Sequence, residues 1–512
     1  MKYYFLSILI VFSVSPLAAQ QTIQTRPFQS EWEYRTLDEN SVIVKRKDTL
    51  TVDSLFLVVP ENRQKEQTRH ITLPVIRIRA TQRTDNLPVF WLSGGPGQTN
   101  VASFRYGYFI AQHDHVMVGY RGVDGEVSLD CPEVVQVLED ADDILAPETI
   151  QKVSEAYGAG AQRLAVAGVD INGYTPLAVA DDLEDARKAL GYSSIDIIAE
   201  SYGTRVALLY AFKYPQHVNR MILIGTNPPG CMVWDPKLND SLLVRYGNLW
   251  KQDPEAVGRY PDLVDAFRKV NQNFPKRWLF FPIHEGTVKA SANAFLFHRE
   301  TAVQVFDAYI AAADGDASGL WLFSFIGARI FPTIVNWGDN ASKAASVDFD
   351  STRDYYHELN PPNALFGAPL GAFLWGGAQA RTWPIDLIPA EYRQARQCSV
   401  STLFLNGSLD FSTPAENTER DLMPNFPNGH HVVVREAGHI LDLWQSQPAG
   451  THRLVTSFIE TGSIDTSLIR YSPVSFEATR SFPALAKIAV VGVTVAILLI
   501  AYLIWWGARK IF

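Results

Sequence analysis

The segment Ile195-Asp196-Ile197-Ile198-Ala199-Glu200-Ser201-Tyr202-Gly203-Thr204 constrains this chain more than any other. A mostly apolar run leads straight into a serine with small residues two positions before and two after it, and a helix-like stretch follows. This pattern predicts a strand that turns abruptly into a helix, with the Ser201 hydroxyl lifted clear at the turn. Small residues are needed because the turn brings the two backbones close together. Ala199 takes the first small position and Gly203 the second, so the motif reads A-x-S-x-G. A helix-capping serine would also open a helix. The rest of the chain separates the two readings.

A nucleophilic serine needs a base, the base needs an orienting acid, and the developing oxyanion needs donors. Residues 400–406 read as a buried strand, and Asp410 lies on the turn that ends it. Residues 431–434 read as a short strand, with His439 on the loop after it. Asp410 would hold the imidazole, and His439 would take the Ser201 proton and pass it to the leaving group. The chain has eleven histidines, two of them close by at His430 and His431, and Asp410 also suits a turn before Pro414. The order Ser, Asp, His, with both partners placed after late strands, favours the triad. Residues 87–92 form a further expected strand, ended by Ser93-Gly94-Gly95-Pro96-Gly97. Glycines there let backbone N–H groups approach a substrate carbonyl. The expected oxyanion donors are Gly95, with Gly94 as the alternative, and Tyr202.

These motifs resemble those of the proline iminopeptidase and tripeptidyl aminopeptidase family of α/β-hydrolase serine peptidases. The resemblance rests on Gly94-Gly95-Pro96-Gly97, on Tyr120-Arg121-Gly122 followed by Ser128-Leu129-Asp130-Cys131-Pro132-Glu133, and on the helix-like segment 180–191. Ser201-Tyr202-Gly203-Thr204, Tyr214-Pro215-Gln216-His217-Val218, Asn406-Gly407-Ser408-Leu409-Asp410 and Ala437-Gly438-His439 continue it. It spans residues 52–461 and is thin between 231 and 396. The resemblance implies an α/β-hydrolase fold and cleavage of short peptides from their N-termini. Two positions depart from the family pattern: Ala199 replaces the first elbow glycine, and Gly119 stands where an aspartate often precedes the arginine.

Alternating strands and helices between residues 89 and 226 indicate a mostly parallel central sheet with helices on both faces. Residues 52–79 alternate as early antiparallel strands. Between 231 and 395 the strand pattern lapses into helix-like, aromatic-rich sequence, placed where such a fold carries a mainly helical cap over its site. The expected organisation is a signal peptide at 1–19, core at 20–230, cap at 231–395, and core again at 396–470. A tether at 471–487, a transmembrane helix at 488–506 and a cytoplasmic tail at 507–512 complete it. An aminopeptidase must anchor a free α-amine, and the cap carboxylates Asp235, Asp240, Glu255, Asp307, Asp314 and Glu358 are the candidates.

The N-terminal segment has the basic, apolar and small-residue zones of a secretory signal. Residues 488–506 carry no charge, are long enough to cross a bilayer, and are followed by Arg509 and Lys510. The expectation is therefore a single-pass protein with an extracytoplasmic catalytic domain. A net charge of −9 without a basic stripe argues against a nucleic-acid substrate. Cys131, Cys231 and Cys398 are too few for a disulfide scaffold but allow one bridge. No metal-binding pattern occurs, so neither metal nor cofactor is expected. Three functions remain: a membrane-anchored serine aminopeptidase on peptides, an esterase or amidase with the same triad, and a catalytically silent binding ectodomain.

Overall fold

Apolar and β-branched runs separated by turns build a ten-stranded sheet in the computed structural model, which describes residues 23–24, 28–38, 43–82, 84–102, 107–376 and 382–511. The expected signal peptide lies outside the described residues. The first strands are β1 (Ile23–Gln24), β2 (Phe28–Leu37), β3 (Ile43–Pro60), β4 (His70–Ile78), β5 (Val89–Leu92), β6 (His115–Val118), β7 (Ile195–Glu200) and β8 (Val218–Ile224). After a separate ribbon, β9 (Arg277–Trp278) with β10 (Phe281–Pro282), come β11 (Ser401–Gly407) and β12 (Gly429–Val434). The spatial order is β1-β3-β4-β6-β5-β7-β8-β11-β12, with β2 paired to β3. Strands β6 through β12 of that path run parallel, and the early strands run antiparallel.

Every residue of β5, β6 and β7 is buried, as expected of parallel strands covered on both faces. β5 starts two residues later than the sequence suggests. Pro88 has no N–H for the ladder, and only its carbonyl takes part, accepting from the Asp196 amide at 3.0 Å. Helices α1 (Pro132–Glu139), α2 (Pro147–Val166), α3 (Pro176–Ala189) and α4 (Tyr202–Lys213) connect this half of the sheet. Gly191 lies just past the end of α3, and its φ of +78° suits that position after a helix C-terminus.

Between β8 and β11 lie α5 (Pro236–Trp250), α6 (Pro254–Arg259), α7 (Leu263–Gln272), α8 (Glu285–Phe295), α9 (Arg299–Ala313), α10 (Ser318–Ile330), α11 (Trp337–Asp348), α12 (Tyr355–Leu359) and α13 (Pro369–Gly376). Aspartates at 235, 253 and 262 cap α5, α6 and α7, and proline opens the first two. Packing does not follow the chain order. Trp250, Phe267, Phe306 and Tyr309 build a separate apolar cluster, whereas Trp337, Phe373 and Trp375 pack into the main core.

The chain closes with α14 (Ile440–Ser446), α15 (Pro448–Thr461) and α16 (Phe482–Ile511). The segment expected as a tether is not a free linker, because Val474, Phe476 and Phe482 are buried in the cluster around Trp250 and Phe306. Beyond it, Phe482–Trp506 of α16 has a mean hydropathy of 2.7 and is long and apolar enough to cross a membrane. From Val491 to Trp506 every residue of this helix is exposed.

Candidate active site

Ser201 joins β7 to α4 with φ 49° and ψ −121°, a conformation that non-glycine residues rarely adopt. It costs on the order of 1–3 kcal/mol and persists only where the surroundings enforce it. Here the Ser201 amide donates to the Ile224 carbonyl (2.9 Å), and Thr204 returns both its amide and its hydroxyl to the Ser201 carbonyl. Although Ser201 occupies the capping position of α4, its side chain makes no capping hydrogen bond. Small residues are needed for the reason the sequence suggested. A Cβ on Gly203 would run into the Leu92 carbonyl, and one on Gly94 would lie 2.7 Å from Ser201 Cβ. Ala199, paired with Leu92 and Leu223, is fully buried, so its methyl group fits.

Asp410 and His439 come together on the loops after β11 and β12, which pair in parallel. Asp410 Oδ2 lies 2.8 Å from His439 Nδ1 and also accepts the Thr413 hydroxyl at 2.7 Å. Its Oδ1 accepts the Ser412 and Thr413 amides, each at 2.8 Å. Burial works to raise the Asp410 pKa, but the facing His439 and the Thr413 donors outweigh it and hold the carboxyl below its ordinary value. An ionised carboxylate only accepts, so the hydrogen of this pair belongs to Nδ1 and a neutral ring keeps Nε2 as its base. The His439 amide donates to the Phe297 carbonyl at 2.6 Å. Gly225, with φ +61°, lies close against the ring: a Cβ there would be 2.9 Å from His439 Cε1.

Ser201 and His439 line one cavity of about 430 Å³, together with Gly94, Gly95, Tyr202, Trp234 and His298. Among the described residues no hydrogen bond joins the Ser201 hydroxyl to the His439 ring; such bonds often tighten only when substrate binds. The Gly95 and Tyr202 amides likewise donate to no acceptor among the described residues. The glycine loop that carries Gly95 is clamped from the insertion. Gly97 donates to Asp339 Oδ2 (3.0 Å) and its carbonyl accepts from the Asn336 amide (2.8 Å). Asp339 and Lys343, one turn apart on α11, form a fully buried ion pair at 2.7 Å. Burial pushes the Asp339 pKa up to about 6 despite Lys343. From the core side, the Tyr120 hydroxyl donates to the Ser93 carbonyl and Asn100 Oδ1 accepts the Ser93 amide.

A family model described as alpha/beta hydrolase fold matches residues 154–445, more than half of the chain. The chain belongs to this alpha/beta hydrolase family. No curated protein matches its sequence. Solved structures similar to the hydrolase include a serine hydrolase from Cycloclasticus zankles (14% identity, covering 80% of this chain and 100% of the other, TM-score 0.36). A thermophilic esterase from Thermogutta terrifontis shares 15% identity over 81% of this chain and 99% of its own (TM-score 0.33). A carboxylesterase from Bacillus subtilis shares 13% identity over 80% and 93% (TM-score 0.33).

Several residues that shape the hydrolase's site escaped sequence reasoning. The six carboxylates expected as amine anchors, Asp235, Asp240, Glu255, Asp307, Asp314 and Glu358, do not line the cavity. Asp235 caps α5, Asp240 accepts the amides of Leu365, Phe366 and Gly367, and Glu358 pairs with Arg353. Glu200 is the one acidic side chain among the lining residues, and its Oε1 accepts the Trp444 indole N–H at 2.7 Å. Asp442 Oδ2 accepts the amides of Gly438 and Arg299, tying the His439 loop to the insertion. The spacing of Asp442 three residues after His439 was a usable signal. The pairing of Asp339 with Gly97 had none, because 242 residues separate them. At the other departure from the family pattern, Gly119 packs against Asp124 and Pro74, and Asp124 Oδ2 accepts the Tyr120 and Asn100 amides. Arg121 is instead buried against Asp182 at 2.6 Å. Cys131, Cys231 and Cys398 are all unpaired, so the bridge that their number allowed is not formed.

Proposed function

We propose that this hydrolase works through Ser201 as nucleophile, His439 as general base and then acid, and Asp410 as the group that orients and stabilises the imidazolium. The single observation that carries the reading is the buried Asp410–His439 pair facing the same cavity as a strained, uncapped Ser201. Attack by Ser201 Oγ on a carbonyl carbon passes its proton to His439 Nε2. The oxyanion then meets the Gly95 and Tyr202 amides, which preserve their donors for it, and His439 returns the proton to the leaving group. Water then repeats the sequence to release the acyl group.

The substrate reading is a peptide with a free N-terminus, cleaved by an enzyme held to a membrane by α16 with its catalytic part exported. Support comes from the family resemblance of the glycine loop, elbow and histidine motifs, from the signal-like N-terminus, and from the apolar α16. An α-amine entering this cavity would meet Glu200 beside the nucleophile rather than a cap carboxylate. A second reading, an esterase or amidase on an uncharged substrate, is favoured by the cavity's apolar side chains Trp234, Phe297, Leu370 and Trp375. The test pairs the full chain with Ser201→Ala on amino-acyl and tripeptidyl amides, free or blocked at the N-terminus, and on simple esters. Serine-dependent cleavage confined to free-amine peptides supports the aminopeptidase, and cleavage of esters alone supports the second reading. Turnover that survives Ser201→Ala removes the mechanism itself.

A further inference from the structure

A second surface lies outside the cavity, at the β9–β10 ribbon. Trp278 pairs with Phe281 across it, which leaves Leu279 and Phe280 as a two-residue turn. Such turns favour glycine, asparagine or aspartate because their residues take positive φ. This one carries leucine at φ 53°, followed by phenylalanine, and the two are 59% and 79% exposed. Conformational strain is thus spent on holding two large apolar side chains at an apex in water, the reverse of what a free surface turn requires. The patch continues inward: the Trp321 ring of α10 packs tilted against Trp278 (centroids 5.2 Å apart) and Phe281 (4.8 Å), and Phe325 follows at 5.5 Å. Cations border it. Lys276 and Arg277 open the ribbon, and the Arg329 guanidinium lies 3.8 Å over the exposed Phe325 ring. Glu285 answers Lys276 at 3.4 Å, while Arg277 and Arg329 have no carboxylate partner among the described residues.

The same helix carries the root of α16. Phe323 packs on Phe482 at 4.7 Å, a Cβ on Gly319 would touch Pro483, and Lys487 pairs with Asp316 just before α10. From Ile488 onward α16 leaves the protein. A bilayer crossed by α16 therefore has its surface near Lys487, beside the helix that supports the aromatic apex. Aromatic rings rimmed by basic side chains are the composition that favours the interface of a membrane, where rings enter the headgroup layer and cations meet lipid phosphates.

We propose that the β9–β10 apex and the Trp321–Phe325 face of α10 rest in the headgroup layer of the membrane that α16 spans. The hydrolase is then held at two points, and its insertion keeps a fixed orientation to the bilayer. This rests on the reading of α16 as an anchor. The test uses the full chain in phosphatidylcholine vesicles with and without phosphatidylserine, in a Cys231→Ser background; Cys131 and Cys398 are buried. An environment-sensitive fluorophore is attached at Phe280→Cys or at the control Val166→Cys, a site 86% exposed on the far end of α2. The expected result is several-fold weaker quenching by aqueous iodide at 280 than at 166, strong quenching by lipids with a nitroxide near the headgroup, and an increase of both effects with phosphatidylserine. Iodide quenching equal at the two sites, in a chain that resists alkaline carbonate extraction, overturns the docking surface and leaves the anchor standing. Release of the chain by carbonate overturns the anchor and the proposal together. Shielding at 280 that persists in detergent and grows with protein concentration overturns it in favour of a second copy of the chain.

Discussion

Gly225→Ala tests how tightly the tertiary structure positions His439. The added Cβ would lie 2.9 Å from His439 Cε1, 3.1 Å from Nδ1 and 3.0 Å from Thr413 Oγ1. Comfortable carbon–carbon contact begins at about 3.5 Å, so the ring must retreat by roughly 0.6 Å. It has little room, because Nδ1 is held at 2.8 Å by Asp410 and the backbone amide is held by Phe297. A displacement of about 1 Å costs on the order of a hundredfold in rate, so a fall of roughly tenfold to hundredfold in kcat is expected, with KM little changed. The φ of +61° adds about 1–2 kcal/mol of backbone strain that is unrelated to the ring. Gly230→Ala separates the two effects, since Gly230 has φ +84° with nothing within 4 Å of an added Cβ. It should lose comparable stability in urea and keep its full rate. The assay is steady-state hydrolysis of a chromogenic ester or peptide amide, beside urea unfolding of both variants. Equal rates for Gly225→Ala and wild type, or equal losses of rate for the two alanine variants, would refute the assignment of His439 as the base.

Other tests follow from individual contacts. Asp410→Asn should lower kcat by about 10⁴ through the wrong imidazole tautomer, and a loss under tenfold would place the orienting acid elsewhere. Asp196, buried at the start of β7, has its pKa pushed up to about 6 by desolvation, which outweighs the Asn219 and Arg220 donors. Its folded state retains a proton that the unfolded chain releases between about pH 4 and 6. The stability it contributes is therefore full below pH 4 and is lost as pH rises through 6, by ~3 kcal/mol. Asp196→Asn should remove that loss, so urea midpoints matching wild type at both pH 4 and pH 7 would contradict it. Truncation after Tyr471 removes Val474, Phe476, Phe482 and Ala486, apolar side chains buried against the insertion. At about 1.5–3 kcal/mol for each large side chain, it should yield an unstable product, whereas a chain ending at Lys487 should stay folded. Equal thermal stability of the two truncations would mean that this segment is a tether after all.

Much of the candidate site was legible because its motifs are local patterns. An apolar strand, a serine between small residues and a helix form one continuous stretch, so the elbow at Ser201 could be read without any long-range contact. The same holds for Asp410 and His439, each on a turn directly after a recognisable strand. Even the replacement Ala199 was legible, since the steric demand falls hardest on Gly94 and Gly203. That Glu200, and none of the six candidate carboxylates of residues 231–395, lines the cavity was not, because a charge count cannot say which side chains turn toward it.

The sequence by itself determined the strand–turn–helix order, the choice of Ser201, Asp410 and His439 as candidate reactive groups, and the apolar length of α16, all properties of neighbouring residues. Only the tertiary structure decided what holds them. Gly97 meets Asp339 across 242 residues, Phe297 holds the His439 amide, and Phe482 ties the root of α16 to α10. Each of these contacts joins segments brought together by burial of a shared apolar surface, which is a sum over the whole chain and leaves no mark in any single stretch of it.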